Sequence, residues 1–220
     1  MTLPGIRTRR IWLSLVCLAL AAPLWLTHAP AFGQESISLP PPDKQDGKPL
    51  MQALAERRST RSFGARPLSR QTLSNLLWAA FGVNRPDGGR TAPSAHDMQE
   101  IDVYAALPEG LFLYDAQAHA LRKVSGRDVR PLAGKQAFTA QAPLGLIYVA
   151  DLSRMRDEEP RDFYAAADTG FISQNVYLFC ASEGLGTVVY AWIEREALAE
   201  AMGLSPHQRI VLAQSVGWPP

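Results

Sequence analysis

The clearest helical pattern in the chain follows Ser69. Apolar residues recur there at spacings of three and four, the period of one face of an α-helix. These residues are Leu73, Leu76, Leu77, Ala80 and Phe81. Ser69 can cap the first turn and Gly82 is placed to end the helix. A shorter helix is predicted from Pro49 to Arg58, with arginines at its C-terminal end.

The longest helical pattern runs from Asp162 to Glu183. Its apolar residues are spread around most of the helix circumference, which predicts a helix buried in the core or between subunits. Gly170 and the small residues before it, Ala166 and Ala167, would let another helix approach closely. The pattern is therefore compatible with a dimer interface at this helix as well as with burial in the core.

Strand-like runs occupy much of the rest of the chain. Three of them, 101–106, 111–114 and 120–124, follow one another with short turns between. The run 144–150 is almost entirely apolar, which indicates a strand covered on both faces. A strand at 187–192, a helix at 194–202 ended by Gly203 and a last strand at 210–216 follow. Helices and strands mix without strict alternation, so the predicted class is α+β.

Residues 1–33 have the composition of an export signal. Arg7, Arg9 and Arg10 precede an apolar stretch at 11–26, and small residues near Gly33 suit cleavage. This stretch is shorter than the roughly 20 residues that span a bilayer, although an uncleaved anchor is an alternative. The paired arginines also resemble a twin-arginine signal. We expect an exported, periplasmic protein that contacts membrane only through this segment if it is retained.

Residues 34–49 are predicted to be a proline-rich linker before a single domain at 50–220. The domain is large enough for a sizeable core, since 47% of the 220 residues are hydrophobic. A formal net charge of +1 gives no reason to expect nucleic acid as a partner. The two cysteines, Cys17 and Cys180, leave no disulfide after cleavage and no zinc spacing.

The densest group of hydrogen-bond donors is Arg57, Arg58, Ser59, Thr60 and Arg61. Guanidinium groups bind phosphate oxygens in pairs, and hydroxyls suit a polyhydroxylated chain. The cluster therefore predicts a phosphorylated ligand. The alternative is a basic helix end that only faces water.

The order of motifs along the chain resembles the FMN-dependent nitroreductase family. The motifs are Arg-Arg-Ser-Thr-Arg-Ser-Phe from residue 57, Pro-Ser-Ala-His-Asp-Met-Gln from residue 93, the long helix into Glu-Gly-Leu-Gly-Thr, and Val-Gly-Trp-Pro near the end. The resemblance implies an α+β homodimer whose central mixed or antiparallel sheet is flanked by helices. It also implies two FMN molecules at the subunit interface and ping-pong electron transfer to a small electron-poor acceptor.

The resemblance implies three groups of cofactor-binding residues. The first, for the FMN phosphate, ribityl chain and pyrimidine edge, is Arg57, Arg58, Ser59 and Arg61. The second, approaching the flavin from the other subunit, is Pro93, Ser94, Ala95, Asp97 and Gln99. The third, offering backbone N–H groups to the reactive edge of the ring, is Val189, Tyr190 and Ala191. The protein would position the flavin and tune its charge without an obligate catalytic side chain.

Two positions depart from the family pattern. Asp97 stands where relatives carry Asn, and an ionised Asp can only accept hydrogen bonds. The chain also ends at Pro220, where relatives continue with a basic residue that helps bind the phosphate. The phosphate would then depend on Arg57 and Arg58, with Arg85 or Arg90 as further candidates.

Alternatives remain at this stage. NADH or NADPH is a possible electron donor, but an exported protein could instead use another reduced partner. The same scaffold could be an exported flavin-binding or interaction module without turnover. A third hypothesis is an envelope protein whose arginines contact an anionic surface. Scattered histidines and the absence of Rossmann or Walker glycine patterns argue against a hydrolase or a dinucleotide-fold dehydrogenase.

Overall fold

A single seven-stranded sheet organises the domain. The computed structural model describes residues 1, 35–157 and 160–220, so the predicted export signal lies outside the described residues. The strands are β1 (Ser36–Ser38), β2 (Ile101–Leu107), β3 (Gly110–Asp115), β4 (Ala120–Ser125), β5 (Leu144–Asp151), β6 (Gly186–Tyr190) and β7 (Gln208–Gly217). Their order is β1-β4-β3-β2-β5-β7-β6. Each neighbouring pair is antiparallel, which agrees with the expected α+β class.

Helices cover both faces of this sheet. They are α1 (Leu50–Glu56), α2 (Arg70–Phe81), α3 (Arg130–Ala133), α4 (Phe138–Gln141), α5 (Arg161–Glu183) and α6 (Arg195–Met202). Two 3-10 turns lie at Ala95–Asp97 and Leu152–Arg154. No helix within 35–157 or 160–220 is both long and apolar enough to cross a membrane.

Strand β5 is the centre of the core. Leu146 and Tyr148 face the layer that contains α2 and α5, whereas Ile147 and Val149 face the layer that contains α3 and α6. All of its residues from Leu144 to Ala150 are buried. The sequence prediction of a strand covered on both faces is confirmed.

The ends of the helices follow the predicted signals. The hydroxyl of Ser69 accepts the Thr72 N–H at 3.0 Å and caps α2. Gly203 ends α6 with φ of 67°, a left-handed conformation that favours glycine. Helix α1 is shorter than predicted because it ends at Glu56, so Arg57 and Arg58 lie in the extended segment that follows.

Helix α5 is buried on one side only. Ile172, Val176 and Cys180 pack into the core, but Phe163 and Phe171 are 68% and 48% exposed in the single chain. A side chain added at Gly170 would meet no atom within 4 Å. Apolar residues therefore lie on both sides of α5, as predicted, but no described residue covers the side that carries Phe163 and Phe171.

Some elements were not predicted. The three residues of β1 pair with β4 inside the stretch interpreted as a linker, and a strand this short has no readable period. The four-residue helices α3 and α4 were missed for the same reason. The strand predicted at 187–192 ends earlier, at Tyr190, and leaves Ala191 in the following loop.

Candidate functional site

A cavity of about 520 Å³ lies where the segment after α1, the C-terminal half of α5 and strand β6 meet. This volume falls within the roughly 300–1,000 Å³ of small-molecule sites. Residues that line it include three cations, one carboxylate, Thr60 and the ring of Tyr177. The cations are Lys48, Arg57 and Arg58, and the carboxylate is Glu56. The cavity therefore favours an anionic ligand.

Tyr177 holds the arginine segment in place. Its hydroxyl lies 2.8 Å from Ser59 Oγ and accepts the Val189 N–H at 3.1 Å. The Arg57 guanidinium lies over its ring, 5.2 Å from the centroid. A second connection is the Thr60 N–H, which donates to the Thr187 carbonyl at 2.9 Å. The segment after α1 is thus joined to both α5 and β6.

Glycine is required where this segment crosses β6. A Cβ on Gly186 would lie 2.8 Å from Thr60 Cγ2, closer than real Cβ contacts allow. The motif Glu-Gly-Leu-Gly-Thr contains this glycine. Glycine suits this position because the Thr60 side chain packs directly against the Gly186 backbone.

Neither arginine of the cavity is ion-paired with a carboxylate among residues 35–157 and 160–220, although the charge of Arg58 acts on Glu56. Lys48 differs, because its Nζ contacts Glu56 Oε2 at 2.5 Å and donates to the Ala181 carbonyl at 3.2 Å. This hydrogen bond from Lys48 holds the pKa of the Glu56 carboxyl below its ordinary value. One of the three cations is therefore largely compensated, while Arg57 and Arg58 can bind an anion.

The second predicted group forms a separate loop against α5. The Ala95 N–H donates to Asp168 Oδ2 at 2.8 Å, and the Gln99 N–H donates to Ser94 Oγ at 2.9 Å. Gln99 Nε2 also donates to Asp97 Oδ1 at 2.9 Å. Pro93 is exposed at the start of this loop. The loop is internally hydrogen-bonded and anchored to one buried carboxylate.

This loop carries unusual backbone strain. His96, Asp97 and Gln99 have φ of 52°, 54° and 49°. Such left-handed conformations in residues other than glycine cost free energy and persist only when the surroundings enforce them. Strain of this kind is concentrated at functional sites, so the loop is a candidate ligand-contacting segment.

The two groups do not meet within one chain. The first group contacts Tyr177 and the second contacts Asp168, nine residues earlier on the same helix. At 1.5 Å per residue these anchor points are separated by about 14 Å along α5. The second group is also absent from the lining of the cavity. A shared pocket therefore requires a second copy of the chain.

The remaining predicted residues occupy mixed positions. Arg61 is exposed and does not line the cavity. The Val189 N–H is engaged by Tyr177, whereas the sequence interpretation directed it toward a ligand. Tyr190 is buried, and its hydroxyl accepts a hydrogen bond from Ser215 at 3.3 Å. Ala191 is exposed beyond the end of β6.

Neither Arg85 nor Arg90 lines the cavity. Arg90 Nε donates to Gln99 Oε1 at 2.8 Å, and its guanidinium lies over the Phe81 ring. Burial lowers the pKa of Arg90 from its ordinary value. Arg85 contacts Asp87 in the exposed turn. Arg90 instead contacts Gln99 in the 93–99 loop, and Arg85 contacts the 84–90 turn.

Sequence reasoning missed Lys48 and Tyr177 as cavity residues. Lys48 lies in the stretch interpreted as a linker, and its backbone N–H donates to Ser182 Oγ at 2.7 Å. Tyr177 sits within an apolar helical pattern, where a tyrosine has no distinctive signal. Pro219 lines the cavity as well. Within the part of the chain that the structure describes, no cluster of three metal-ligating side chains is found.

Comparison with known proteins defines the class. The family model described as "Nitroreductase family" matches residues 54–218. A curated protein of Methanocaldococcus jannaschii, described as a candidate nitroreductase, is 35% identical over 159 residues, covering 67% of this chain and 80% of the relative. A crystal structure of a candidate nitroreductase from Ralstonia eutropha JMP134 has 46% identity and a TM-score of 0.81, covering 84% of this chain and 90% of that one.

A more distant structure shares the fold alone. The NADPH:FMN oxidoreductase of Vibrio harveyi, in complex with NAD+, has 21% identity and a TM-score of 0.56, covering 77% of this chain and 68% of that one. The matched family defines an oxidoreductase class with this α+β fold. The chain belongs to the nitroreductase family.

Proposed function

We propose that this protein is an FMN-dependent oxidoreductase that transfers electrons to a small electron-poor molecule. The observation that carries the proposal is the cavity lined by Arg57 and Arg58, neither of which is ion-paired with a carboxylate in the described part of the chain. A phosphate monoester supplies the double negative charge that two guanidiniums can bind in pairs. The proposed family function and the chemistry of the cavity agree.

The residues of the cavity fit FMN. Arg57 and Arg58 would hold the phosphate, while the charge of Lys48 is largely compensated by Glu56. Thr60 lines the cavity, and Ser59 precedes it with its hydroxyl bonded to that of Tyr177; both hydroxyls suit the ribityl chain. When bound, FMN supplies reversible acceptance of two electrons, so a donor and an acceptor can use one site in turn. The protein contributes binding, orientation and exclusion of water.

The proposal includes a homodimer. Leu50, Met51, Phe163 and Phe171 are large apolar side chains exposed in the single chain. Phe163 and Phe171 lie on α5, and a partner chain packed on this helix would cover them. Pairing through α5 would allow the 93–99 loop of one copy to approach the cavity of the other. Asp97 and the strained backbone beside it would then contact the flavin ring.

Export and the electron donor are also part of the proposal. The relative from Vibrio harveyi is named an NADPH:FMN oxidoreductase, which supports NADPH or NADH as a donor here. A signal at 1–33 would carry the protein away from the cytoplasmic nicotinamide pool, and another reduced partner would then be needed. Stopped-flow measurement of flavin bleaching by NADH and NADPH distinguishes a nicotinamide donor from another reduced partner.

A spectrum and a variant series test the proposal. Purified protein should be yellow, with flavin near one per chain. R57A and R58A should each weaken FMN binding by about 10- to 150-fold, since a hydrogen bond to a charged group contributes roughly 1.5–3 kcal/mol. R127A, at an exposed arginine far from the cavity lining, is the matched control. Colourless protein that also fails to bind added FMN would overturn the proposal.

A non-catalytic flavin-binding module is the second candidate. It is favoured by Asp97, whose carboxylate can only accept hydrogen bonds and would disfavour a reduced, anionic flavin. If bound flavin resists reduction by NADH, NADPH and dithionite-poised mediators alike, this second function replaces the first.

A further inference from the structure

Glu100 is a carboxylic acid in an unusual place. It is 0% exposed, and neither carboxyl oxygen accepts a hydrogen bond from a donor among the described residues. An ionised carboxylate can only accept hydrogen bonds, and burying one without donors is strongly unfavourable. A proton on Glu100 removes the charge and converts one oxygen into a donor. The burial of Glu100 therefore favours its neutral form.

Asp168 on α5 is the carboxylate that acts on Glu100 through its charge and a side-chain contact. Asp168 is 3% exposed, and its Oδ2 already accepts the Ala95 N–H at 2.8 Å. Burial, reinforced by the charge and contact of Asp168, raises the pKa of Glu100 to about 7. Two carboxyl groups in one buried site cannot both be ionised without a large cost in free energy. One shared proton resolves this conflict.

The cation whose charge acts on Glu100 is already paired with other groups. Arg154 lowers the pKa of Glu100 by its charge. However, its guanidinium lies 2.8 Å from Asp102 Oδ1 and 3.4 Å from Asp151 Oδ2, and it donates to the Gln99 carbonyl at 3.1 Å. Arg154 therefore serves two other carboxylates and the end of the loop, and it does not neutralise Glu100 directly.

We propose that Glu100 and Asp168 share a single proton and that this pair positions the strained 94–99 loop on α5. Protonated Glu100 donates to the Asp168 carboxylate, and Asp168 in turn accepts the Ala95 N–H. The arrangement fixes one end of the loop through Ala95 and the other through the peptide that joins Gln99 to Glu100. Ionisation of Glu100 would place two charges side by side and release Ala95. Glu100 and Asp168 are thus positioning residues.

The proton sharing is a property of the chain itself, whereas its effect on ligand affinity rests on the proposed function. Two measurements on protein without added FMN test the first part. Infrared spectroscopy should detect a buried carboxylic acid band that persists to about pH 7 and disappears in E100Q. Below about pH 7, hydrogen exchange should show a protected Ala95 amide in wild type and in E100Q. E100Q should keep this protection at higher pH, because Gln can donate to Asp168 at any pH. In E100A this amide should exchange at least tenfold faster.

Controls separate this result from general damage. E109Q changes an exposed glutamate in the β2–β3 turn and should leave the acid band and the Ala95 amide unchanged. Far-ultraviolet circular dichroism should show that E100Q keeps the fold. If the wild-type acid band has already disappeared when the pH is raised to 5, the proposal is overturned. Equal Ala95 exchange in wild type and E100A would overturn it as well.

A third measurement addresses the ligand. The FMN dissociation constant of wild type and E109Q should rise several-fold between pH 6 and pH 8.5, relative to that of E100Q over the same range. A parallel pH dependence in all three proteins would contradict a positioning role. If FMN does not bind at all, the proposed function fails, while the infrared and exchange results still decide the proton sharing.

Discussion

The hydroxyl of Tyr177 lies 2.8 Å from Ser59 Oγ, across 118 residues of sequence. The same hydroxyl accepts the Val189 N–H, and the ring supports the Arg57 guanidinium. One side chain therefore connects the arginine segment, helix α5 and strand β6. Positioning of the cavity arginines depends on this connection.

Removal of this hydroxyl should lower stability and FMN affinity, although the Tyr177 ring remains in the cavity lining. Y177F keeps the ring under Arg57 but leaves the half-buried Val189 N–H without its acceptor. We expect the free energy of unfolding to fall by about 1–3 kcal/mol. FMN affinity should fall several-fold, because Ser59 and Arg57 lose their support. Urea unfolding and FMN titration measure the two effects.

Y164F provides the matched control on the same helix. Tyr164 is half-buried, and its ring contacts Phe163 and His96. Its substitution should leave FMN affinity unchanged. Equal losses of affinity in Y177F and Y164F would mean that Tyr177 has no particular role at the cavity.

Neutralising Asp97 should make the flavin easier to reduce. In D97N the side-chain oxygen can still accept from Gln99 Nε2, so the contact at 2.9 Å is retained while the charge is lost. If this loop lies beside a flavin in the proposed dimer, the midpoint potential should become more positive. A dye-equilibrated reductive titration measures the shift. D87N, in the exposed turn nearby, should leave the potential unchanged. A potential that is unchanged or more negative in D97N would place Asp97 away from the ring.

His119 should make attachment of the N-terminal strand sensitive to acid. Its ring nitrogens lie 2.9 Å from the Tyr114 hydroxyl and 2.7 Å from Ser74 Oγ, and Ser74 also donates to the Pro40 carbonyl. Burial lowers the pKa of His119. The folded chain therefore favours the neutral ring, and stability is lost as pH falls below about 6.5, where the unfolded chain becomes protonated.

Urea unfolding between pH 5 and pH 8 checks this prediction. Glu100 acts in the opposite direction, because its raised pKa makes stability fall as pH rises from 4.5 toward 7. Variants must therefore be compared with one another. H119Q should lose part of the acid sensitivity, whereas H207Q, at an exposed histidine, should keep it. Identical pH profiles for wild type and H119Q would exclude this role.

Local patterns predicted the elements that are long and regular. Helix α2 begins after Ser69 as its capping signal indicates, and β5 is buried on both faces as its apolar run indicates. The arginine segment was recognised because its charge density stands out in sequence. Short elements were missed, since three residues at β1 or four at α3 contain too few positions to show a period.

The candidate site was predictable only in part. Arg57 and Arg58 do line a cavity, but Lys48 and Tyr177 reach it from segments that carry no local signal of a ligand. The Val189 N–H was assigned to a ligand because strand register alone does not reveal a tyrosine hydroxyl arriving from another element. Contacts between residues far apart in sequence are set by packing, and packing is not visible in a local pattern.

By itself, the sequence determined the α+β class, the main helices and strands, the family, and the arginine cluster, because periodicity and charge density are properties of neighbouring residues. Only the tertiary structure decided that the two predicted groups contact α5 at different residues, Tyr177 and Asp168. It also decided that Glu100 is buried beside Asp168. These relationships depend on how helices and strands pack on the two faces of one sheet, which brings together side chains that the chain separates by up to 118 residues.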